Sequence, residues 1–198
     1  GYILDLTMFS TGSGASATAS VGTGYIQKIF LDNDGSGFTS TPTVAITTAP
    51  SGGTDATAVA ITTTRNNITS ISEILLTNAG TGYTVAPTIT ISGGGGTGAA
   101  ATCGIITAHR GVISFTITDG GSGFTTTPPV SIAAPPLSPT INASAKAVVS
   151  AGGSITEIRI VNAGAGFLGS APTVTIGSAA TTGIGTYWFN EVITGSRS

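Results

Sequence analysis

The sequence predicts an all-β protein, built as an elongated tandem array of about four small three-stranded modules with no helices of note. Three observations lead there: one phrase returns four times, apolar residues alternate with the strand period, and no stretch carries the helical period. The phrase is a Gly-x-Gly-aromatic corner, a proline, and a short alternating strand. Its copies are Gly35, Gly37, Phe38 and Pro42; Gly80, Gly82, Tyr83 and Pro87; Gly121, Gly123, Phe124 and Pro128; Gly164, Gly166, Phe167 and Pro172. The first glycines lie 45, 41 and 43 residues apart. Residues 14–50, 51–96, 97–139 and 140–178 are accordingly read as repeats 1 to 4. Residues 1–13 read as an N-terminal apolar strand, capping or donated. Residues 179–198 read as a C-terminal strand segment or the start of a further module. A unit of about 40 residues buries too little to stand alone, so neighbouring repeats or other copies must complete its core.

Each repeat carries three strand signals. The first alternates small residues: Ala15, Ala17 and Ala19; Ala56, Ala58 and Ala60; Ala99, Ala101 and Cys103; Ala143, Ala145 and Ala147. Alanine is a poor strand former, so packing must hold these segments. Cys103 occupies an alanine slot and reads as a small buried side chain. As the single cysteine it allows no intrachain disulfide.

Turn signals follow at Gly22-Thr23-Gly24, Thr64–Asn67, His109-Arg110-Gly111 and Ala151–Ser154, each read as a hairpin. The second strand is bulkier: Ile26, Ile29, Leu31; Ile71, Ile74, Leu76; Val112, Phe115, Ile117; Ile155, Ile158, Ile160. The first member of each trio is out of phase with the other two, which predicts a bulge between them. These strands run to Asn33, Asn78, Asp119 and Asn162, residues that readily bond their own backbone and start turns. The glycines then permit positive φ, the aromatic folds back as a plug, and the proline stands just before the third strand.

Composition narrows the function classes. Charged residues are 7% and the net charge is −2, which gives no electrostatic footprint for nucleic acid or an anionic membrane. No run approaches the roughly 18 apolar residues of a spanning helix, so no membrane insertion is expected. The Gly93-x-Gly95-x-x-Gly98 run matches a dinucleotide fingerprint in letters only, because it leads into a strand and not a helix. Asp32 and Asp34 have the spacing of calcium ligands, but no bidentate Glu follows, and an exposed turn is the reading. His109 is the only histidine and reads as solvent-exposed in its turn. Glu157 and Arg159 read as a surface pair on one strand face. No catalytic residue and no cofactor are assigned.

The consensus Ile-x-x-Ile-x-Ile-x-Asn-x-Gly-x-Gly-(Tyr/Phe)-x-x-x-Pro-x-Val-x-Ile, with Gly-Gly-x-Gly-Ala-x-Ala after it, resembles β-repeats of tailed-bacteriophage virion proteins. Tail-fibre, baseplate and neck-associated components carry such repeats. The likeness is clearest from Ile71 to Ala101 and spans roughly residues 14 to 196. It implies a non-enzymatic structural or adhesive part, located in a virion or on an extracellular surface. Its partners would be other copies of itself, with other virion proteins or cell-surface glycans at exposed loops.

The alternative is a subunit of an extracellular bacterial filament or adhesin, polymerised by strand exchange through a terminal segment. Two apolar ends are the candidate assembly strands: Tyr2, Leu4, Leu6 and Met8 at one, Tyr187, Trp188 and Phe189 at the other.

Overall fold

The computed structural model describes residues 12–138 and 140–177. The candidate assembly residues Tyr2, Leu4, Leu6, Met8, Tyr187, Trp188 and Phe189 lie outside them. The described residues contain twelve strands and no helix. They run β1 (Ser13–Gly22), β2 (Tyr25–Ser36), β3 (Thr43–Ile46), β4 (Thr57–Arg65), β5 (Ile68–Asn78) and β6 (Ile89–Ser92). Then follow β7 (Thr97–Ile106), β8 (Gly111–Ser122), β9 (Val130–Ile132), β10 (Ser144–Val149), β11 (Ile155–Asn162) and β12 (Val174–Ile176). All pairings are antiparallel, in several small sheets. The all-β class is as the alternation predicts.

The connectivity is not. Repeats 2 and 4 close as hairpins, β4 on β5 and β10 on β11. Repeats 1 and 3 do not. Instead β1 pairs with β8, and β7 pairs with β2, so the two repeats exchange their alanine strands. The third strands pair across repeats as well, β3 with β6 and β9 with β12. The three strands of a repeat therefore never share one sheet.

Turn chemistry explains which hairpins close. Asn66 and Asn67 both adopt positive φ (50° and 61°) between the paired residues Arg65 and Ile68. That is the type I′ requirement, and its twist matches the strands it joins. Between β1 and β2, only Gly24 of the Thr23-Gly24 pair has positive φ. Positive φ at the second position alone fits a type II turn, which splays the strands. Residues 107–110, between β7 and β8, contain no positive-φ position. Neither link has the type I′ geometry of Asn66-Asn67, and at both the chain crosses over to another repeat.

The bulge expected in the second strands is present in all four. The ladders skip Gln27, Ser72, Ile113 and Thr156. Each skip brings the first residue of the trio onto the inner face, where Ile26, Ile71, Val112 and Ile155 are all buried. A second skip, not foreseen, occurs at Asp32, Thr77, Thr118 and Val161.

The four second strands converge at the centre. Ile26 N–H donates to the Ala79 carbonyl (2.9 Å), and Ala79 N–H to the Ile113 carbonyl (2.7 Å). The pattern repeats as Val112 N–H to Ala163 (2.8 Å) and Ala163 N–H to Gln27 (2.8 Å). Repeats 1 and 2 are thus related to repeats 3 and 4 by an approximate two-fold. The bulged residues Gln27 and Ile113, skipped by their own ladders, supply two of the acceptors.

Candidate functional site

The recurring corner is the candidate site, and its construction is the same four times. The second strand ends in an Asx turn, where the side-chain oxygen of Asn33, Asn78, Asp119 or Asn162 accepts from the N–H two residues on. The distances to Gly35, Gly80, Gly121 and Gly164 are 2.9, 2.8, 2.8 and 2.9 Å. All eight corner glycines have positive φ. The first glycine of each corner also lies against the backbone that opens an alanine strand. A side chain on Gly35, Gly80, Gly121 or Gly164 would meet the backbone N of Ala99, Ala56, Ala15 or Ala143.

Phe38, Tyr83, Phe124 and Phe167 are all buried. The backbone N–H of each aromatic reaches a different repeat. Phe38 donates to Thr69 (3.2 Å) just past the β4–β5 turn, and Tyr83 to Gly24 (2.8 Å) in the β1–β2 link. Phe124 donates to Gly153 (2.9 Å) in the β10–β11 turn, and Phe167 to Arg110 (3.1 Å) in the β7–β8 link. The docking is reciprocal: repeat 1 with repeat 2, repeat 3 with repeat 4. Tyr83 adds a polar tip, its hydroxyl accepting from Ala56 N–H (3.0 Å) and donating to the Thr47 carbonyl (3.2 Å). Burial pushes its ionisation upward, opposed by the Ala56 hydrogen bond. Pro42 immediately precedes β3, while Pro87, Pro128 and Pro172 stand two residues before β6, β9 and β12.

Clefts open at two of these junctions. One of about 620 Å³ is lined by Phe124, Thr125–Thr127 and the β10–β11 turn at Ala151–Gly153. Another of about 390 Å³ lies between Thr23, Gly24 and the Thr81–Thr84 corner. Both present hydroxyls and backbone, with no titratable side chain except the Tyr83 phenol.

The remaining candidates fall as follows. Asp32 and Asp34 are exposed, Asp32 accepting from the Thr102 hydroxyl (3.3 Å). No group of three His, Cys, Asp or Glu side chains gathers among the described residues. The Gly93–Gly96 loop joins β6 to β7, and its Gly94 carbonyl accepts from Thr39 N–H (2.7 Å) and Ser40 N–H (3.3 Å) over corner 1. His109 is half-buried, while Thr107, Ala108 and Arg110 beside it in the link are exposed. Cys103 is half-buried where Ala19, Ala60 and Ala147 are buried; its thiol points at the Pro87 carbonyl (3.6 Å), and burial raises its ionisation. Glu157 and Arg159 do pair (2.7 Å). Lys146–Glu73 (2.6 Å), between β10 and β5, was not legible in the sequence.

Sequence reasoning also missed Tyr25. It is fully buried, and its hydroxyl donates to the Gly164 carbonyl at 2.6 Å. The signal was there: only repeat 1 carries an aromatic one residue before its first bulky position.

Compared with protein-family models, curated proteins and solved structures, the chain matches none.

Proposed function

We propose that this chain is a non-enzymatic structural protein, a β-repeat segment of a phage appendage, virion fibre or decoration that works as an oligomer. The observation that supports this is how the recurring Gly-x-Gly-aromatic corner is used. Every Gly-x-Gly-aromatic corner buries its ring and commits its aromatic N–H to another repeat. A ligand loop would leave such donors free; these hold repeats together. On this reading the elongated form belongs to the assembly of chains, with repeats as spacers. The threonine-lined clefts beside Phe124 and Tyr83 would be the loops that contact a receptor glycan. The test is mass spectrometry of purified virions against purified cell-surface filaments. Peptides of this chain confined to the filaments would overturn the virion reading.

The alternative, a filament or adhesin subunit joined by strand exchange, is favoured by one specific observation. The first described strand, β1, completes a sheet in the far half of the chain.

A further inference from the structure

The chain divides into two parts at its links, although the parts share the β4-β5-β11-β10 sheet and the central hydrogen bonds. Strands β2 to β7 form one from a continuous stretch, residues 25–106, in which β7 closes on β2. Strands β8 to β12 form the other. It is closed by β1, laid along β8.

The two closures match in detail. Gly96 before β7 lies under the Phe38 ring, and Gly12 before β1 lies under the Phe124 ring, with no room for a side chain at either. Ala99 and Ala15 contact Gly35 and Gly121 in the same way. One part is thus closed by its own chain continuing forward, the other by a strand reaching back from the N-terminal side.

Strand β1 is bound in a manner suited to exchange. Its side chains are small and half of its positions are exposed; Ala19 is the only buried one. Its hold rests on the backbone ladder with β8, and any copy of the same strand reproduces that ladder. Along the chain, only residues 23–24 and 107–110 connect the two parts.

We infer that the β8 edge is a strand-acceptor site whose second occupant is β1 of another copy of this chain. Two chains then exchange parts: residues 25–106 of one dock on β8–β12 of its partner, carrying β1 with them, and residues 107–110 act as the hinge. Every contact of the closed chain is remade between copies, so the two forms differ mainly in linker entropy. Short linkers impose an effective concentration on the order of millimolar, so the closed chain dominates in dilute solution and exchange takes over in a crowded assembly. This holds wherever the chain resides, so virion or filament location neither supports nor removes it.

The test is a disulfide trap across Thr18 and Thr116, exposed partners in the β1–β8 register. The full chain carries Thr18→Cys and Thr116→Cys with Cys103→Ala, alanine being the residue in the three equivalent slots. Equal amounts of ¹⁵N-labelled and unlabelled chain are mixed in denaturant, refolded and oxidised, and the 18–116 cross-linked peptide is weighed. At about 10 µM, roughly one link in a hundred should join different chains, rising to about half near 1 mM. Links that stay within single chains at 1 mM overturn the inference. Failure of the 18–116 link to form at either concentration also overturns it, because the β1–β8 pairing would then be absent.

Discussion

The ring of Tyr25 occupies the space that a side chain on Gly111 would need. These two positions are equivalents under the approximate two-fold, each one residue before the first bulky position of its strand, Ile26 or Val112. Two tyrosines there would collide and two glycines would leave a void. The asymmetry makes the halves complementary where symmetry would otherwise make them alike. Gly111→Val should therefore destabilise the fold by about 3 kcal/mol or more, since the clash is with a ring fixed on all sides. Tyr25→Ala should cost about 3–5 kcal/mol through the cavity it opens. The double variant should recover part of the loss, and denaturant midpoints of the three chains read this out. A double variant no more stable than the sum of the single effects would mean the two sites do not share space.

Tyr25 also sets an alkaline limit. Burial without a compensating cation raises its phenol well above the ordinary value of about 10. The folded form therefore holds its proton where the unfolded chain has lost it. The Tyr25 contribution to stability should be level up to about pH 9.5, then fall by about 1.4 kcal/mol per pH unit as the pH rises beyond 10. Tyr25→Phe keeps the ring and drops the titration, so its stability should fall less steeply in that window. Urea unfolding between pH 8 and 11.5 gives both slopes; equal slopes would remove Tyr25 as the cause.

The two glycines of a corner should respond unequally to the same change. Gly35 has φ 61°, and a Cβ there would lie 2.7 Å from the Thr97 carbonyl oxygen and 2.8 Å from the Ala99 nitrogen. Gly37 has φ 78° but nothing within 4 Å of its Cβ position. Gly37→Ala thus meets only left-handed strain, about 1 kcal/mol. Gly35→Ala adds a backbone collision and should cost several times more, or push β7 off β2. Thermal midpoints of the two variants decide the order, and the reverse order would contradict the corner geometry.

What was legible in the sequence was local. Asn33, Asn78, Asp119 and Asn162 announced their turns because an Asx turn is closed within three residues. The trio Ile26, Ile29 and Leu31 announced its bulge because phase along a strand needs no partner. The exchange of β1 and β7 had no such marker. Their Ala-x-Ala faces are nearly identical, so either fits β2 or β8, and the links beside them lack the type I′ geometry that closes β4 on β5. The decisive letters were Thr23-Gly24 against Asn66-Asn67, and both pairs read simply as turns until φ is known. The second skip, at Asp32, Thr77, Thr118 and Val161, left no trace because its residues share no one chemistry across the four repeats.

The Asn66-Asn67 turn offers the cleanest check of that turn logic. Both residues sit in the left-handed region, where asparagine is tolerated and glycine is better. Asn67→Gly should leave stability unchanged or raise it by up to about 1 kcal/mol. Replacing both with alanine removes the side-chain amides that make asparagine tolerant of that region, at up to about 1 kcal/mol each. The penalty should appear mainly as fraying of β4 from β5, because Thr64 and Thr69 beside the turn hold each other by a side-chain hydrogen bond of 2.7 Å that weakens as the ends splay. Hydrogen exchange would show it as lost protection at Arg65 and Ile68 while Ala60 and Ile74, deeper in the same hairpin, stay protected. Uniform loss along the whole hairpin would mean that the turn sets its register and not merely its end.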